Sequence, residues 1–296
     1  MNAFEYQRVS NLREALEAVS DSGGASVFMA GGTDVLVKIK KGGLRPLRVI
    51  DMKGIPGMEG FSLSQTRFSI GALTTIRTLE TSPEVMQKLP LLAQAAGKLG
   101  SVQVRNKATL GGNLCNAAPS AETAPALLAL DACAEIYGRE GSRVVDLREF
   151  FTGPGSTILK EGEILTSLKI PLNGQTRQGA LYYKLANRKA MDIAFVGVAV
   201  LLELDKRDRI SKARIALGAV APTPMRAESA EKVLEGKILD DEAVLTSAAL
   251  AAKSCSPISD LRATAEYRRA MVNRLCQRGL LEAYSQAKSQ KRDDIL

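Results

Sequence analysis

The amino-acid sequence predicts an α+β protein made of two domains. At 296 residues the chain is longer than most single domains, so two domains rather than one are expected. Candidate strands and helices are interspersed in both parts, without the regular alternation of one doubly wound parallel sheet. A turn-rich segment at 171–175 separates the parts. We therefore predict one domain over residues 1–174, a second over 175–287 and a polar tail over 288–296.

The elements of the first part follow from the spacing of apolar residues. Residues 11–19 carry apolar side chains at helical spacing, and the mostly apolar run at 26–30 is typical of a buried strand. Thr74 and Thr75 are candidate caps for one helix, and Thr123 is the candidate cap of an apolar helix that ends near residue 130. The other predicted elements are a short helix at 33–40, strands at 46–51, 68–72, 134–137, 143–146 and 164–170, and an alanine-rich helix at 91–99.

The second part combines three candidate strands with three candidate helices. Around the last helix, Arg262, Arg268 and Arg269 fit either a solvated face or an interface with a partner subunit. Asp260 and Glu266 are available as ordinary ion-pair partners in the first interpretation. The predicted strands lie at 182–185, 194–204 and 213–221, and the predicted helices at 227–234, 240–253 and 264–287.

Two segments contain adjacent glycines beside apolar, strand-like stretches. They are residues 30–34 (Ala-Gly-Gly-Thr-Asp) and 109–113 (Thr-Leu-Gly-Gly-Asn). Because glycine has no Cβ, successive main-chain N–H groups can approach an anion closely, so we expect the amides of both segments to face the phosphates of one dinucleotide. The turn at 70–72 is a third candidate contact. Glycine pairs are also common turn formers, and neither G-x-G-x-x-G nor the P-loop pattern occurs.

The titratable residues contain no catalytic constellation. Histidine is absent, which removes the commonest general base and metal ligand and the Ser-His and Cys-His nucleophile pairs. The cysteines at 115, 133, 255 and 276 form no C-x-x-C pair, which indicates reduced thiols and no iron–sulfur or zinc site within this chain. We predict no catalytic and no metal-binding residue, and expect a cofactor to carry the chemistry.

Charge and hydropathy narrow the class of protein further. The formal net charge is +8, but tryptophan is absent and aromatic residues make up only 4%, so a nucleic-acid surface is not expected. No apolar stretch approaches the roughly 18 residues that span a bilayer. Residues 1–10 lack the basic start and apolar core of a signal peptide, so we predict a cytoplasmic protein without a transmembrane segment.

Several segments together resemble one known family. They lie at 30–34, 70–72, 105–113, 117–122 and 259–269, and the resemblance is to the FAD-binding medium subunit of molybdenum hydroxylases such as xanthine dehydrogenase and carbon monoxide dehydrogenase. The resemblance implies a two-part FAD-binding domain of the vanillyl-alcohol oxidase (PCMH) type. A smaller α+β C-terminal domain with a three-stranded antiparallel sheet and helices would follow. The chain has no histidine to tether FAD, so noncovalent binding is implied.

The resemblance also assigns roles to residues. Residues 27–34 would wrap the diphosphate, and 109–113 would form the second wall of the site. Glu122, where relatives often have aspartate, would bond a nucleotide hydroxyl, Leu165 would pack on the ring system, and Lys184 would stabilise charge on the reduced flavin. The implied cofactor-binding residues are Val27, Phe28, Met29, Ala30, Gly31, Gly32, Thr33, Asp34, Ile70, Gly71, Ala72, Thr109, Leu110, Gly111, Gly112, Asn113, Glu122, Leu165 and Lys184.

The function implied is that of an electron-transfer subunit in a hetero-oligomeric complex. Electrons would leave a molybdenum cofactor in one partner subunit, cross iron–sulfur clusters in another, and reach this FAD. NAD is the expected acceptor, with quinone, oxygen or a protein carrier as alternatives. A self-contained FAD-dependent reductase of the UDP-N-acetylenolpyruvoylglucosamine reductase type is the alternative function.

Overall fold

The computed structural model describes residues 3–21, 25–172 and 177–290. The strands in these ranges are β1 Glu5–Arg8, β2 Ser26–Met29, β3 Arg48–Asp51, β4 Phe61–Leu63, β5 Arg67–Gly71, β6 Cys133–Gly138, β7 Gly141–Asp146, β8 Phe151–Gly153, β9 Ser156–Thr157, β10 Ile164–Pro171, β11 Arg177–Leu185, β12 Val196–Leu204, β13 Ile210–Gly218 and β14 Met225–Arg226. The helices are α1 Leu12–Asp21, α2 Val35–Lys40, α3 Ile76–Thr81, α4 Pro83–Lys88, α5 Pro90–Gly97, α6 Val102–Arg105, α7 Leu110–Cys115, α8 Thr123–Ala129, α9 Leu147–Phe150, α10 Glu228–Lys232, α11 Asp241–Ser254 and α12 Ala265–Ser289.

The chain begins with a small parallel sheet in the order β1-β3-β2. Strands β2 and β3 match the predicted strands, and Met29, Ile39 and Val49 form a small buried cluster between the sheet and α2. Strand β1 was not predicted from the sequence. Its four residues are polar or aromatic and none of them is fully buried, so they lack the apolar pattern of a half-buried strand.

A five-stranded antiparallel sheet in the order β4-β5-β10-β6-β7 forms the other half of the first part. Its apolar face packs on the helices between β5 and β6, and the large side chains of this core, such as Phe68, Leu92 and Leu127, are fully buried. Thr75 caps α3 as predicted, because its hydroxyl accepts a hydrogen bond from the N–H of Thr78. Thr123 is not the cap of α8, since Glu122 occupies the N-cap position.

The second part is a four-stranded antiparallel sheet in the order β11-β12-β13-β14, covered by α11 and α12. The three predicted strands are present, and the two-residue β14 is added at the edge. Every residue of β12 is buried, which agrees with a sequence that is apolar apart from Gly197 and Glu203. Gly179 permits the close packing of α12, because a Cβ there would lie 1.8 Å from the carbonyl oxygen of Ala283.

The last helix is longer than predicted, and Arg268 near its start is not on a solvated face. Helix α12 continues to Ser289, two residues beyond the predicted end. Arg268 is buried, and its guanidinium donates to the carbonyl oxygens of Phe195 (3.3 Å) and Ala219 (3.0 Å) and to Asp260 (2.7 Å). The interpretation of a solvated face is therefore wrong for this arginine, which ties the start of α12 to the sheet.

Polar contacts join the two parts. Asp131, just after α8, forms ion pairs with Lys212 (2.8 Å), Arg214 (3.1 Å) and Arg226 (2.7 Å) of the second sheet. Burial raises the pKa of Asp131, but these cations outweigh it and hold the pKa below its usual value.

The predicted boundary at 171–175 falls mostly outside the described residues, as does most of the predicted tail, so the domain limits stay predictions. None of the helices in the described part is long and apolar enough to cross a membrane.

Candidate functional site

A cleft of about 810 Å³ lies between the parallel sheet and the antiparallel sheet of the first part, with the loop after β11 at its margin. Such a volume lies within the range of small-molecule and cofactor sites. The cleft brings together most of the residues predicted from the sequence. The predicted residues that line it are Val27, Phe28, Ala30, Gly31, Gly32, Thr33, Asp34, Ala72, Thr109, Gly111, Gly112, Asn113, Glu122 and Leu165.

Five predicted residues do not line the cleft. Met29 packs in the small cluster beneath the parallel sheet, and Ile70 and Leu110 are fully buried in the main core. Gly71 faces the backbone of Met58, since a Cβ there would lie 2.3 Å from its carbonyl oxygen. The fifth, Lys184, stands behind the cleft wall. The cofactor role predicted for these side chains can therefore be only indirect in this arrangement.

The first glycine pair presents unused main-chain donors to the cleft. The N–H groups of Gly31, Gly32, Thr33 and Asp34 have no hydrogen-bond partner among the described residues. They follow one another between the end of β2 and the start of α2, and Gly32 has a φ of +77°, a left-handed conformation that glycine adopts without strain. A run of such donors forms a concave anion-binding surface.

The two glycine pairs lie against each other. A Cβ on Gly31 would meet the carbonyl oxygen of Lys107 at 1.9 Å, and one on Gly112 would lie 3.9 Å from the Cβ of Ala30. Thr75 and Thr109 form an isolated antiparallel bridge that carries the second pair to this position. The absence of a side chain at Gly31 therefore serves the packing of one segment on the other, in addition to any ligand.

The second glycine pair does not offer free amides, which corrects the expectation that both segments would do so. It begins helix α7, and its N–H groups are used inside the protein. Gly111 donates to the carbonyl oxygen of Ala72 (2.8 Å), and Gly112 donates to the capping hydroxyl of Thr109 (3.1 Å). Asn113 donates its main-chain N–H to the Thr109 carbonyl (3.0 Å). This segment forms a wall of the cleft, and its residues 110–113 contribute no free main-chain donors.

A buried ion pair joins the cleft to the second part of the chain. The Lys184 ammonium lies 2.7 Å from Glu122 Oε1, and their side chains are 7% and 10% exposed. The ammonium also donates to the carbonyl oxygens of Lys98 (3.0 Å) and Asp192 (2.8 Å), so its three hydrogens are all engaged. Burial raises the pKa of Glu122 and the charge of Asp34 adds to this, whereas Lys184 opposes it.

The structure adds cleft residues that the sequence did not reveal. Gly100 and Met191 meet at one end, where the N–H of Met191 donates to the Gly100 carbonyl (3.2 Å). Met191 has a φ of +55° and Ile193 is half exposed, although both line the cleft. Residues 160–164 line it as well. No local motif marks these positions. Among the other added lining residues, Ala108, Ala118, Ser120 and Ala121 lie inside the segments at 105–113 and 117–122, which carried a sequence signal.

These residues fit the diphosphate of a dinucleotide. Consecutive unpartnered donors, a glycine conformation that keeps them accessible and a cleft of suitable volume are the features that anion recognition by main chain requires. Burial raises the pKa of the Cys115 thiol on the cleft wall to about 12, so this thiol stays neutral at physiological pH. Within residues 3–21, 25–172 and 177–290, no cluster of carboxylates and thiols is arranged to hold a metal ion.

Comparison with known protein families defines the class. Residues 2–173 match the family described as the FAD binding domain in molybdopterin dehydrogenase. Residues 181–283 match the CO dehydrogenase flavoprotein C-terminal domain. The fold is thus that of a two-domain FAD-binding flavoprotein, as the resemblance implied.

Individual relatives agree with these matches. The chain is 33% identical over 283 residues to a putative xanthine dehydrogenase FAD-binding subunit of Escherichia coli K12, covering 95% of this chain and 96% of the relative. It is 34% identical over 282 residues to the carbon monoxide dehydrogenase medium chain of Hydrogenophaga pseudoflava, covering 95% and 97%. The chain belongs to the family of FAD-binding medium subunits of molybdenum hydroxylases, which are subunits of oxidoreductase complexes.

Solved structures show the same fold. A carbon monoxide dehydrogenase from Hydrogenophaga pseudoflava that lacks the Mo-pyranopterin moiety of its molybdenum cofactor matches with a TM-score of 0.92 at 34% identity, covering 96% of this chain and 98% of that one. A quinoline 2-oxidoreductase from Pseudomonas putida 86 matches with a TM-score of 0.90 at 30% identity, covering 97% and 98%. The prediction of fold class and family is confirmed.

Proposed function

We propose that this chain binds FAD noncovalently in the cleft and transfers electrons within a molybdenum hydroxylase complex. Electrons would come from iron–sulfur clusters of one partner subunit, which receives them from the molybdenum cofactor of another. They would leave to NAD. The bound flavin would accept and release electrons and hydride, and the protein would bind and orient the flavin.

The run of unpartnered N–H groups at residues 31–34 is the observation that carries the placement of the cofactor. A diphosphate bound there would accept hydrogen bonds from main chain, which suits a loop that has no lysine or arginine of its own. The neighbouring wall from Thr109 to Asn113 would exclude water from one side. Glu122 on the cleft lining and Lys184 behind it would set the local charge.

The choice of acceptor and partners rests on the relatives. Those named above include a xanthine dehydrogenase subunit and a carbon monoxide dehydrogenase medium chain, and both names describe subunits of dehydrogenases. A dehydrogenase passes electrons to an acceptor other than oxygen in its normal turnover, and NAD is the common soluble one. Recognition of the substrate would belong to the molybdenum subunit.

The composition of the native assembly tests the function. We expect the tagged chain to copurify with two other chains, and the assembly to contain flavin, iron, sulfide and molybdenum. Addition of NAD to the reduced assembly should reoxidise the flavin. If quinone or oxygen reoxidises the flavin and NAD does not, the proposed acceptor is wrong, and the rest of the proposed function stands. A yellow single chain that turns over its own substrate without partners would establish the self-contained reductase instead.

A matched pair of glycine variants tests the site. Gly32→Asp would add a negative charge to the segment that carries the free amides, so we expect the chain to lose FAD. Gly57→Asp is the control, because Gly57 has the same φ of +77°, is exposed and has open space around its Cβ position. Both variants carry the same charge change and the same backbone strain. Equal flavin content in the two preparations would contradict this placement of the diphosphate.

A further inference from the structure

A cluster of three side chains lies beneath the first glycine pair. Asp51 ends β3 beside Met29 of β2, and its carboxylate is buried, with the residue only 2% exposed. Tyr6 on β1 donates its hydroxyl hydrogen to Asp51 Oδ2. Lys53, two residues beyond the strand, lies with its ammonium 2.8 Å from Asp51 Oδ1. None of these residues lines the cleft.

The Lys53 ammonium connects this cluster to the glycine pair. It donates to the carbonyl oxygen of Ala30, the residue before Gly31, over 3.3 Å. The described residues provide no other donor to that carbonyl. The neighbouring anchors are the hydrogen bonds from Met52 N to the Met29 carbonyl (3.0 Å) and from Leu36 N to the Gly32 carbonyl (3.1 Å). Lys53 therefore fixes the peptide group between Ala30 and Gly31, which carries the first of the free N–H donors.

The charge of Asp51 holds Lys53 in place. Burial raises the pKa of Asp51, but hydrogen bonds from Lys53 and Tyr6 outweigh burial and keep the pKa below its usual value. The carboxylate is therefore ionised at neutral pH. The charged and titratable groups facing it are Lys53 and Tyr6, while Arg8 on β1 acts on Tyr6 from farther away. An ionised buried carboxylate needs a cation and hydrogen bonds, and Lys53 supplies both.

We propose that Lys53, oriented by Asp51 and Tyr6, is a positioning residue for the FAD diphosphate. Through its hydrogen bond to the Ala30 carbonyl, Lys53 orients the peptide groups that carry the free N–H donors. These N–H groups then stay directed toward the cleft before the cofactor binds. Such preorganisation increases affinity because less ordering remains to be done on binding. The inference rests on the placement of the diphosphate proposed above.

Titrations of the full-length chain stripped of flavin test the role. FAD and ADP contain the diphosphate, whereas riboflavin does not. For Lys53→Met we expect the Kd of FAD and of ADP to rise about tenfold, the size expected for one hydrogen bond to a charged group. The Kd of riboflavin, measured well below the melting temperature, should stay near that of the parent chain. The melting temperature itself should fall, because the buried Asp51 carboxylate loses its cation. Lys53→Arg keeps a donor and a charge, and should recover most of the lost affinity.

Two further variants separate the possible outcomes. Lys88→Met removes an exposed lysine that has no partner in the part of the chain that the structure describes, and should leave every Kd unchanged. Tyr6→Phe removes one hydrogen bond to Asp51 and should weaken FAD binding less than Lys53→Met does.

The positioning role is overturned if Lys53→Met leaves the FAD Kd within twofold of the parent. It is also overturned if FAD and riboflavin weaken equally, since that pattern indicates a structural role only. If Gly32→Asp still retains FAD, the placement of the diphosphate fails, independently of what Lys53 does.

Discussion

The contact between the two glycine pairs predicts a large effect of one added methyl group. In Gly31→Ala the new Cβ would lie 1.9 Å from the carbonyl oxygen of Lys107 and 3.0 Å from the Cα of Ala108. An ordinary contact begins at 3.4 Å, so the segments would have to separate by about 1.5 Å. The obstacle is main chain, which cannot swing aside as the end of a flexible side chain can.

The cost can be estimated from overpacked cores. Extra methyl groups in well-packed interiors cost about 1–3 kcal/mol, and a clash with main chain belongs at the upper end, about 3 kcal/mol. For a protein of this size each kcal/mol lowers Tm by about 2–4 °C, so a fall of about 6–12 °C is expected. FAD affinity should fall as well, because the free N–H groups of residues 31–34 move with the segment.

Thermal unfolding and flavin titration measure both effects. Gly43→Ala is the matched control, since Gly43 has no positive φ. Beyond its chain neighbours, the nearest atom to its Cβ position is the Lys38 carbonyl oxygen at an ordinary 3.8 Å. The control should melt and bind FAD like the parent chain. If Gly31→Ala melts within about 1 °C of the control, the close packing of the two segments described above is incorrect.

Three other substitutions probe the polar contacts described above. Lys184→Ala should lower the free energy of unfolding by about 3–5 kcal/mol, because Glu122 stays buried without its cation; the double variant with Glu122→Gln should recover much of this in a thermal melt. Asp131→Asn should lower Tm at neutral pH and much less at low pH. The folded-state pKa of Asp131 is below the unfolded value, so its stabilisation is present above pH ~4 and disappears as the pH falls further. Arg268→Met should destabilise the chain by about 2–4 kcal/mol, since buried carbonyl acceptors lose their donor, whereas Arg269→Met should have little effect in the same urea titration.

A specific result would contradict each of these three predictions. If the Lys184→Ala chain is as stable as the parent, the ammonium is not the partner of a buried carboxylate. A constant difference between Asp131→Asn and the parent from neutral pH down to about 3 would mean that the carboxylate gains nothing from its cations. Equal stabilities of the two arginine variants would contradict the burial of Arg268.

Much of the fold was predictable because its local signals agree with its tertiary structure. Strand β2 is mostly apolar and leads directly into Gly31 and Gly32, and the structure places the free donors there. Strand β12 reads as a buried strand because it is buried on both faces. Strand β1 escaped prediction because its pairing with β3, and not its own composition, makes it a strand.

The details of the cleft depended on contacts between distant residues. Two adjacent glycines disfavour a helix, so residues 109–113 read as a loop, yet hydrogen bonds to Thr74 and Ala72 start helix α7 within them. Met191 and Ile193 reach the cleft because of the position of the second sheet, and no local pattern encodes that position. The pairing of Lys184 with Glu122 likewise joins residues 62 positions apart.

The closeness of Gly31 to the Lys107 carbonyl changes how such glycines should be interpreted in other proteins. A position can require glycine because two stretches of the protein's backbone touch there, whether or not the protein binds a ligand. A descendant of this fold that had lost its cofactor would still be unable to accept alanine there. Evidence for a retained nucleotide should therefore be sought in the run of N–H groups at residues 31–34, which have no partner among the described residues.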